Sequence, residues 1–280
     1  MSEIAPFLEA SVRTATPLLI AAVGENISER GGVINIGLEG CIIAGAYAAF
    51  ATGSASAGAG YSAAVLAGVA VGILLVIFVV LLGRDQIIVG TALTMLALGV
   101  TGTLFRARGE TLAVVPTLAA APITVVAVAL VPLSWWWLTR THAGLALRAI
   151  GDAPSAARAA GIRVRLVQSC AVIFGAALGG LAGGSLVLAQ AGSFAEGMSA
   201  GRGFIAIAIV ALGRWRPWGV AAASLVFGAA MALQFVVQAL GWRVRYELVL
   251  MIPYLLTLIA LGAFGRGSAP AMLGRPLPDD

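Results

Sequence analysis

The sequence predicts an all-α, polytopic integral membrane protein with about 8–10 transmembrane helices, some of them broken. Three observations carry that prediction. Of 280 residues, 60% are hydrophobic and only 10% charged, and the mean hydropathy is +1.02. A soluble domain is nearer to about half apolar and a quarter charged. The apolar residues gather in separate runs close to the ~20 residues a helix needs to cross a bilayer. The 17 basic residues are all arginine and sit mostly between those runs, as the loop charges that set orientation do. A soluble fold of this size could not hide so much apolar surface, whereas lipid makes no such demand.

The elements follow in order. Ala10–Val23 is a marginal span, because it carries Arg13 and Pro17. Clear spans are expected at Ile36–Ala51, Ala59–Leu82, Ile87–Phe105, Pro122–Leu138, Gln168–Leu188, Trp218–Leu240 and Leu248–Phe264. Phe204–Leu212 is apolar but too short to cross alone, and reads as half of a broken helix continuing from Ser193–Gly203. Residues 1–264 thus form one membrane domain. The Pro/Gly-rich tail 265–280 is expected to be disordered.

Orientation rests on Thr139–Val167, which holds Arg140, Arg148, Arg158, Arg163 and Arg165 against a single acid, Asp152. That loop is expected in the cytoplasm. Counting outward makes Gly83–Gln86 cytoplasmic and Arg106–Ala121 external. The Gly213–Pro217 turn is internal if Phe204–Leu212 completes a crossing. Gly241–Glu247 is then external, although Arg243 and Arg245 argue against it, and the tail is internal. Met1-Ser2-Glu3 has neither a basic n-region nor a small-residue cleavage site, so no cleavable signal peptide is expected.

Composition also excludes chemistries. A loop of the form G-x-x-x-x-G-K-[ST] needs its lysine for the terminal phosphates of ATP, and this chain has no lysine. Cys41 and Cys170 lie in separate apolar segments and read as small buried hydrophobes. A single histidine, His142, leaves no His–His metal pair. No Ser/His/Asp set, paired catalytic carboxylates or H-E-x-x-H is present, so neither an enzyme nor a bound cofactor or metal is expected. Arginines spread between spans point to topology rather than to nucleic acid.

Two polar stretches stand out. In Thr141–Ile162, Asp152 is a candidate N-cap, Pro154 fits a first helical turn, Ser155–Ala160 favours helix and Gly161 can end it. The product is a stubby helix of small residues, fit either to sit in a partner's groove or to lie on the membrane surface. In Gly24–Gly40, Asn35 and Glu39 are four apart and can share a helix face, while Gly31-Gly32 favours a tight turn. Ionisable groups inside a span are costly and usually pair or line a cavity. Glu29, Arg30, Asn35 and Glu39 therefore either line or gate a pathway or clasp a break between helices. Thr91 and Thr94 can share a face toward a pore or simply bond their own helix. Gln168, Ser169, Gln234 and Gln238 are further polar groups within spans.

Glycines at Gly68/Gly72, Gly175/Gly179, Gly179/Gly183 and Gly180/Gly184 mark close helix contacts, within the chain or between subunits. Trp135-Trp136-Trp137 reads as an interfacial belt rather than a base-stacking platform.

Glu29-Arg30-Gly31-Gly32-Val33-Ile34-Asn35-Ile36-Gly37-Leu38-Glu39-Gly40 resembles the E-R-x-G-x-x-N-x-G-x-E-G stretch of permease subunits in ABC importers of nucleosides and simple sugars. The wider group includes ribose and branched-chain amino acid permeases. Thr141–Ile162 resembles that family's coupling loop. Gly201–Ala208, with Ala211-Leu212-Gly213 and Pro217, resembles a third motif. The resemblance implies a pathway built with a second permease subunit, identical or related. It also implies two cytoplasmic ABC ATPases that consume the ATP, an extracytoplasmic solute-binding protein and residence in the bacterial inner membrane. Gly144, Arg148, Gly151, Asp152, Pro154, Ala156, Ala157 and Gly161 would then form the coupling segment. The substrate implied is a nucleoside or simple sugar. A self-sufficient secondary transporter or channel is the competing reading. It would show inverted repeats, and none is evident.

Overall fold

The computed structural model describes residues 4–108, 115, 117, 119–239, 246–263 and 269–275. Among them every regular element is a helix: α1 (Ile4–Arg30), α2 (Leu38–Thr52), α3 (Ala57–Leu75), α4 (Gln86–Ala107), α5 (Ala121–Arg140), α6 (His142–Asp152), α7 (Pro154–Ala159), α8 (Val164–Leu186), α9 (Arg202–Leu212), α10 (Pro217–Ala239) and α11 (Tyr246–Ala263). Both α3 and α8 run on as π-helical turns, Val76–Leu81 and Val187–Ala191. Among the described residues six helices are long and apolar enough to cross a membrane, and α2 and α9 are shorter apolar helices. The chain is a multi-pass membrane protein.

The marginal first span is a full helix of 27 residues, long enough at ~1.5 Å per residue to cross with room to spare. Pro17 lacks the N–H that would bond the Arg13 carbonyl. The Gln190 amide donates to that carbonyl at 2.8 Å instead. A breaker inside a span is tolerated when a neighbour satisfies the freed group.

Helix α8 is the centre of the bundle, packed on α1, α2 and α3, while α1 also packs on α5, α9 and α10. In α8, 78% of the most apolar window is buried, against 28% in the peripheral α5. The glycine pairs explain how α8 fits. A Cβ at Gly183 would collide with the Ile42 carbonyl of α2, one at Gly180 with the Ala64 carbonyl of α3, and one at Gly175 with the Gly24 carbonyl of α1. Gly68 and Gly72 of α3 lie against Gly180 and Ala176. The contact glycines therefore serve packing within the chain. In lipid such close van der Waals fit is the main source of helix association.

Several chain segments define two faces. The α6–α7 segment, the turn after α9 and residues 269–275 share one: Arg30 of α1 reaches the Trp215 carbonyl, and the Met272 amide donates to the Gly151 carbonyl at 2.9 Å. The α3–α4 connection joins them through Gln86, whose side chain donates to the Arg275 carbonyl at 3.3 Å. Within the tail expected to be disordered, residues 269–275 thus run against the body. On the other face, Arg106 pairs with Glu196 at 2.7 Å, and the Val115 amide donates to the Gly192 carbonyl. An aromatic group of Tyr47, Phe50, Phe105 and Phe194 closes this end. The rest of the expected external loop 106–121, and the loop 241–247 with Arg243 and Arg245, lie largely outside the described residues, as does the Gln238 side chain. Gln234 is half-buried, and Ser169 bonds the Arg165 carbonyl of its own helix.

Arg30, Arg84, Arg140, Arg148, Arg158, Arg163, Arg165, Arg214, Arg216 and Arg275 all belong to the first face. This asymmetry supports placing it inside the cell. Trp135 and Trp136, at that end of α5, are exposed as an interfacial belt requires. Cys41 is buried as expected, but Cys170 is exposed. Lipid contact makes outward positions of a span as apolar as inward ones, so hydropathy does not separate the two.

Candidate functional site

The loop between α1 and α2 is the polar hub of the molecule. Glu25, Asn26, Ser28, Glu29, Asn35 and Glu39 are all buried. The Glu25 carboxylate accepts from the Asn35 amide at 2.8 Å. The Gln168 amide of α8 donates to the Gly31 carbonyl at 2.7 Å. From α4, Gln86 accepts from the Ile34 amide at 2.8 Å and Thr94 donates to the Ile36 carbonyl at 3.3 Å. Loop backbone groups that could not be left bare in a membrane are thus satisfied by side chains from other helices.

Glu39 has the most specific geometry. Its two carboxylate oxygens accept from the amides of Gly201 and Gly203, at 2.8 and 2.6 Å. These amides belong to the first turn of α9, the short helix that begins within the bundle. A helix N-terminus presents unpaired N–H groups and partial positive charge. A buried carboxylate meets both needs at once. Gly203 must be glycine here, because a Cβ would strike the Glu39 backbone.

The other end of α9 is fastened by α1. Arg30 donates from Nε and Nη2 to the Trp215 carbonyl, at 2.9 and 2.6 Å, and the Trp215 indole donates to the Glu29 carboxylate. Arg214 and Trp215 both take φ of 54°, and Ala200 before α9 takes 46°. Such left-handed conformations at non-glycine residues cost energy and persist only where surrounding contacts hold them.

Asn35 lies in the loop before α2, so it and Glu39 do not share a helix face. The reason is local: α2 begins only at Leu38, because the Ile34 and Asn35 amides are taken by Gln86 and Glu25 rather than by a helix. Thr91 bonds the Ile87 and Ile88 carbonyls of its own helix, whereas Thr94 turns inward to the loop. Of these residues, Asn35 and Thr94 bond around the loop after α1, while Glu39, Glu29 and Arg30 engage the two ends of α9.

On the arginine-rich face, α6 is an amphipathic helix whose Leu147 and Ile150 are fully buried. Thr141 caps it, accepting from the Gly144 amide at 3.1 Å. Gly144 lies against the Trp137 carbonyl and Gly151 against the Arg30 carbonyl. The expectation for Asp152 needs correction: it is the last residue of α6, and the N-cap of α7 is Ala153, with φ −150 and ψ 79. Pro154 at the first position of α7 drives the preceding residue out of the helical region, which shifts the break by one residue. Gly161 takes φ +80 and ends the segment as expected. Pro154 and Ala157 are buried, Ala157 against Ile150 and Val164. Arg148 is half-buried. Asp152, Ser155, Ala156, Ala159, Ala160 and Gly161 are exposed. The outward side of α7 is therefore small residues with one acid beside it.

Sequence reasoning assigned no contact to Trp215 or Gln86, and read Gly201 and Gly203 only as part of a motif. Periodicity carries no sign of a partner 162 to 186 residues away.

The family described as branched-chain amino acid transport system / permease component matches residues 7–261. This chain belongs to that family. The permease is similar, end to end, to the guanosine ABC transporter permease protein of Bacillus subtilis (strain 168), 33% identical over 94% of this chain and 93% of the relative. It is also 32% identical to the nucleoside ABC transporter permease protein of Lactococcus lactis subsp. cremoris, over 91% of each. The resemblance read from three motifs holds over nearly the whole chain. The permease is a membrane-spanning transport subunit of an ABC importer, a class that works with ATPase and binding-protein partners.

Proposed function

We propose that this permease forms, with a second copy or a related subunit, the inner-membrane pathway of an ATP-driven importer of nucleosides. Two cytoplasmic ATPases supply the energy and an extracytoplasmic binding protein supplies the solute. The single observation that carries the substrate class is the end-to-end likeness to two permeases named for guanosine and nucleosides. A simple sugar is the outcome a ligand screen would return if that likeness reflects ancestry rather than substrate.

The α6–α7 segment is the element we assign to coupling. Its inner side is anchored by Leu147, Ile150 and Ala157, and its outer side offers Ala156, Ala159 and Ala160 at a basic face. Small outward residues let a partner's groove close around a helix, while a rigid inner side transmits the push to α1 and α8. Within the coupling set, Asp152, Ala156 and Gly161 would face the ATPase. Gly144, Gly151, Pro154 and Ala157 would hold the segment on the bundle. Glu29, Arg30, Asn35 and Glu39 we assign to a clasp that makes α1, α2 and α9 move together when the importer switches between two states.

The test is uptake in proteoliposomes holding the permease with its cognate ATPase and binding protein. Ala156→Trp and Asp152→Lys should each lower solute uptake by roughly tenfold or more while ATP turnover persists and the permease stays in the membrane. Uptake unchanged in both variants would refute the docking assignment. Solute flux by the permease alone, without ATPase, would instead favour a self-sufficient transporter.

A further inference from the structure

Between α5, α6 and the α9–α10 turn, on the arginine-rich face, lies a cavity of about 710 Å³. Three arginines from three different elements line it: Arg30 of α1, Arg148 of α6 and Arg216 of the turn. Arg214 adds to the basic lining, and no acidic residue lines the cavity among those described. Asp152 lies near Arg30 but outside the lining, and none of Arg30, Arg148 and Arg216 forms an ion pair among the described residues. The Nε of Arg148 is buried without a hydrogen-bond partner. Glu29, the other nearby acid, is engaged by the Trp215 indole and does not reach the lining.

Holding three like charges around an open space is unfavourable unless something of opposite charge enters. Arginine's planar fork suits a phosphate group, which can accept from two N–H donors of each guanidinium. Three tryptophans, Trp135, Trp215 and Trp218, share the wall with Leu138, Leu212 and Pro217. Trp218 is 57% exposed at the edge of α10, where an amphipathic ring sits at the headgroup level of a bilayer. Flat rings beside an oxyanion site favour a ligand with a phosphate and an apolar or aromatic body.

We infer that this cavity binds a phosphate-bearing ligand on the inner side of the membrane and thereby sets the turn between α9 and α10. The chemistry fits two sources, the headgroup of an anionic phospholipid or a soluble nucleoside monophosphate. Arg30 links ligand to structure: it lines the cavity, and its guanidinium holds the Trp215 carbonyl. Occupancy would therefore stiffen the clamp on α9.

The experiment uses the full chain in phosphatidylcholine nanodiscs. Tryptophan emission, excited at the red edge, is followed while guanosine monophosphate, inorganic phosphate or potassium chloride is added. In a second arm, native mass spectrometry counts phosphatidylglycerol retained from mixed nanodiscs against phosphatidylcholine. The inference expects saturable binding in one arm or both. That binding should be roughly tenfold weaker in Arg148→Gln/Arg216→Gln and partly restored in Arg148→Lys/Arg216→Lys. Saturation by guanosine monophosphate with no lipid preference identifies a soluble nucleotide. Selective retention of phosphatidylglycerol identifies the lipid. Binding unaltered by the glutamine pair, or no preference for a phosphate-bearing ligand over chloride and phosphatidylcholine, overturns the inference. In that event the arginines serve the ATPase interface alone, and the double glutamine variant should then weaken ATPase association instead.

Discussion

At the scale of single residues, the clearest device is the Glu39 carboxylate on the first amides of α9. Glu39→Ala would strand two buried donors, at about 1–3 kcal/mol each. Glu39→Gln keeps one carbonyl acceptor and should lose roughly half as much. Thermal unfolding in detergent checks the order wild type, Gln, Ala; an alanine variant as stable as wild type would show that α9 is held by packing alone. Glycine positions offer a sharper contrast. At Gly183 a methyl group would meet the Ile42 carbonyl, while at Gly99 it meets nothing. Gly183→Ala should therefore destabilise by several kcal/mol, as overpacking does at its upper end. Gly99→Ala should be neutral or gain up to about 1 kcal/mol from helix propensity. Equal behaviour of the two variants would mean that α8 is not wedged as closely as the structure has it. By comparison the Arg106–Glu196 pair, half-exposed on both sides, should contribute under about 1 kcal/mol.

At the scale of elements, α7 carries the next prediction. Its six residues are too few to be stable alone, so its position depends on Ala157 against Ile150 and Val164. A bulky side chain at Ala157 should lift α7 off the bundle and reduce folded yield. The same side chain at Ala156 should leave yield intact and affect only coupling. Fluorescence-detected size exclusion of Ala157→Trp and Ala156→Trp separates these. Monodisperse, full-yield Ala157→Trp would contradict the packing of α7. The π-helical ends of α3 and α8 and the left-handed residues flanking α9 place the irregular backbone at the ends of helices. There, neighbouring side chains can satisfy it.

At the scale of the whole molecule, the two faces are set by which loops share hydrogen bonds, and the direction by arginine. In a Cys41→Ala/Cys170→Ala background, cysteines at Ser155 and Arg216 should react together with a membrane-impermeant maleimide in inside-out vesicles. A cysteine at Ser56, on the opposite face, should react in right-side-out vesicles. Labelling of 155 and 216 from opposite sides would break the topology.

Much of this is legible in the sequence. Five of the seven clear spans, and the marginal first one, are helices long and apolar enough to cross, since crossing a bilayer imposes a length and a composition that few other structures require; Ile36–Ala51 is instead the shorter helix α2, and Leu248–Phe264 overlaps the 18-residue α11. The basic face follows from arginine placement, and the glycine contacts from spacing alone. Local chemistry read Gly161 correctly, because a left-handed stop needs no distant partner. It misread Asp152, where the constraint that Pro154 places on Ala153 outweighed the capping preference of a carboxylate. What only the tertiary structure decided is which polar groups meet: Glu39 with Gly201 and Gly203, Arg30 and Glu29 with Trp215, Gln86 and Gln168 with the loop after α1. Hydropathy is a property each residue carries by itself, so the sequence displays it directly. A hydrogen bond between residues more than a hundred positions apart depends on how helices stack, and that emerges only once the bundle has closed.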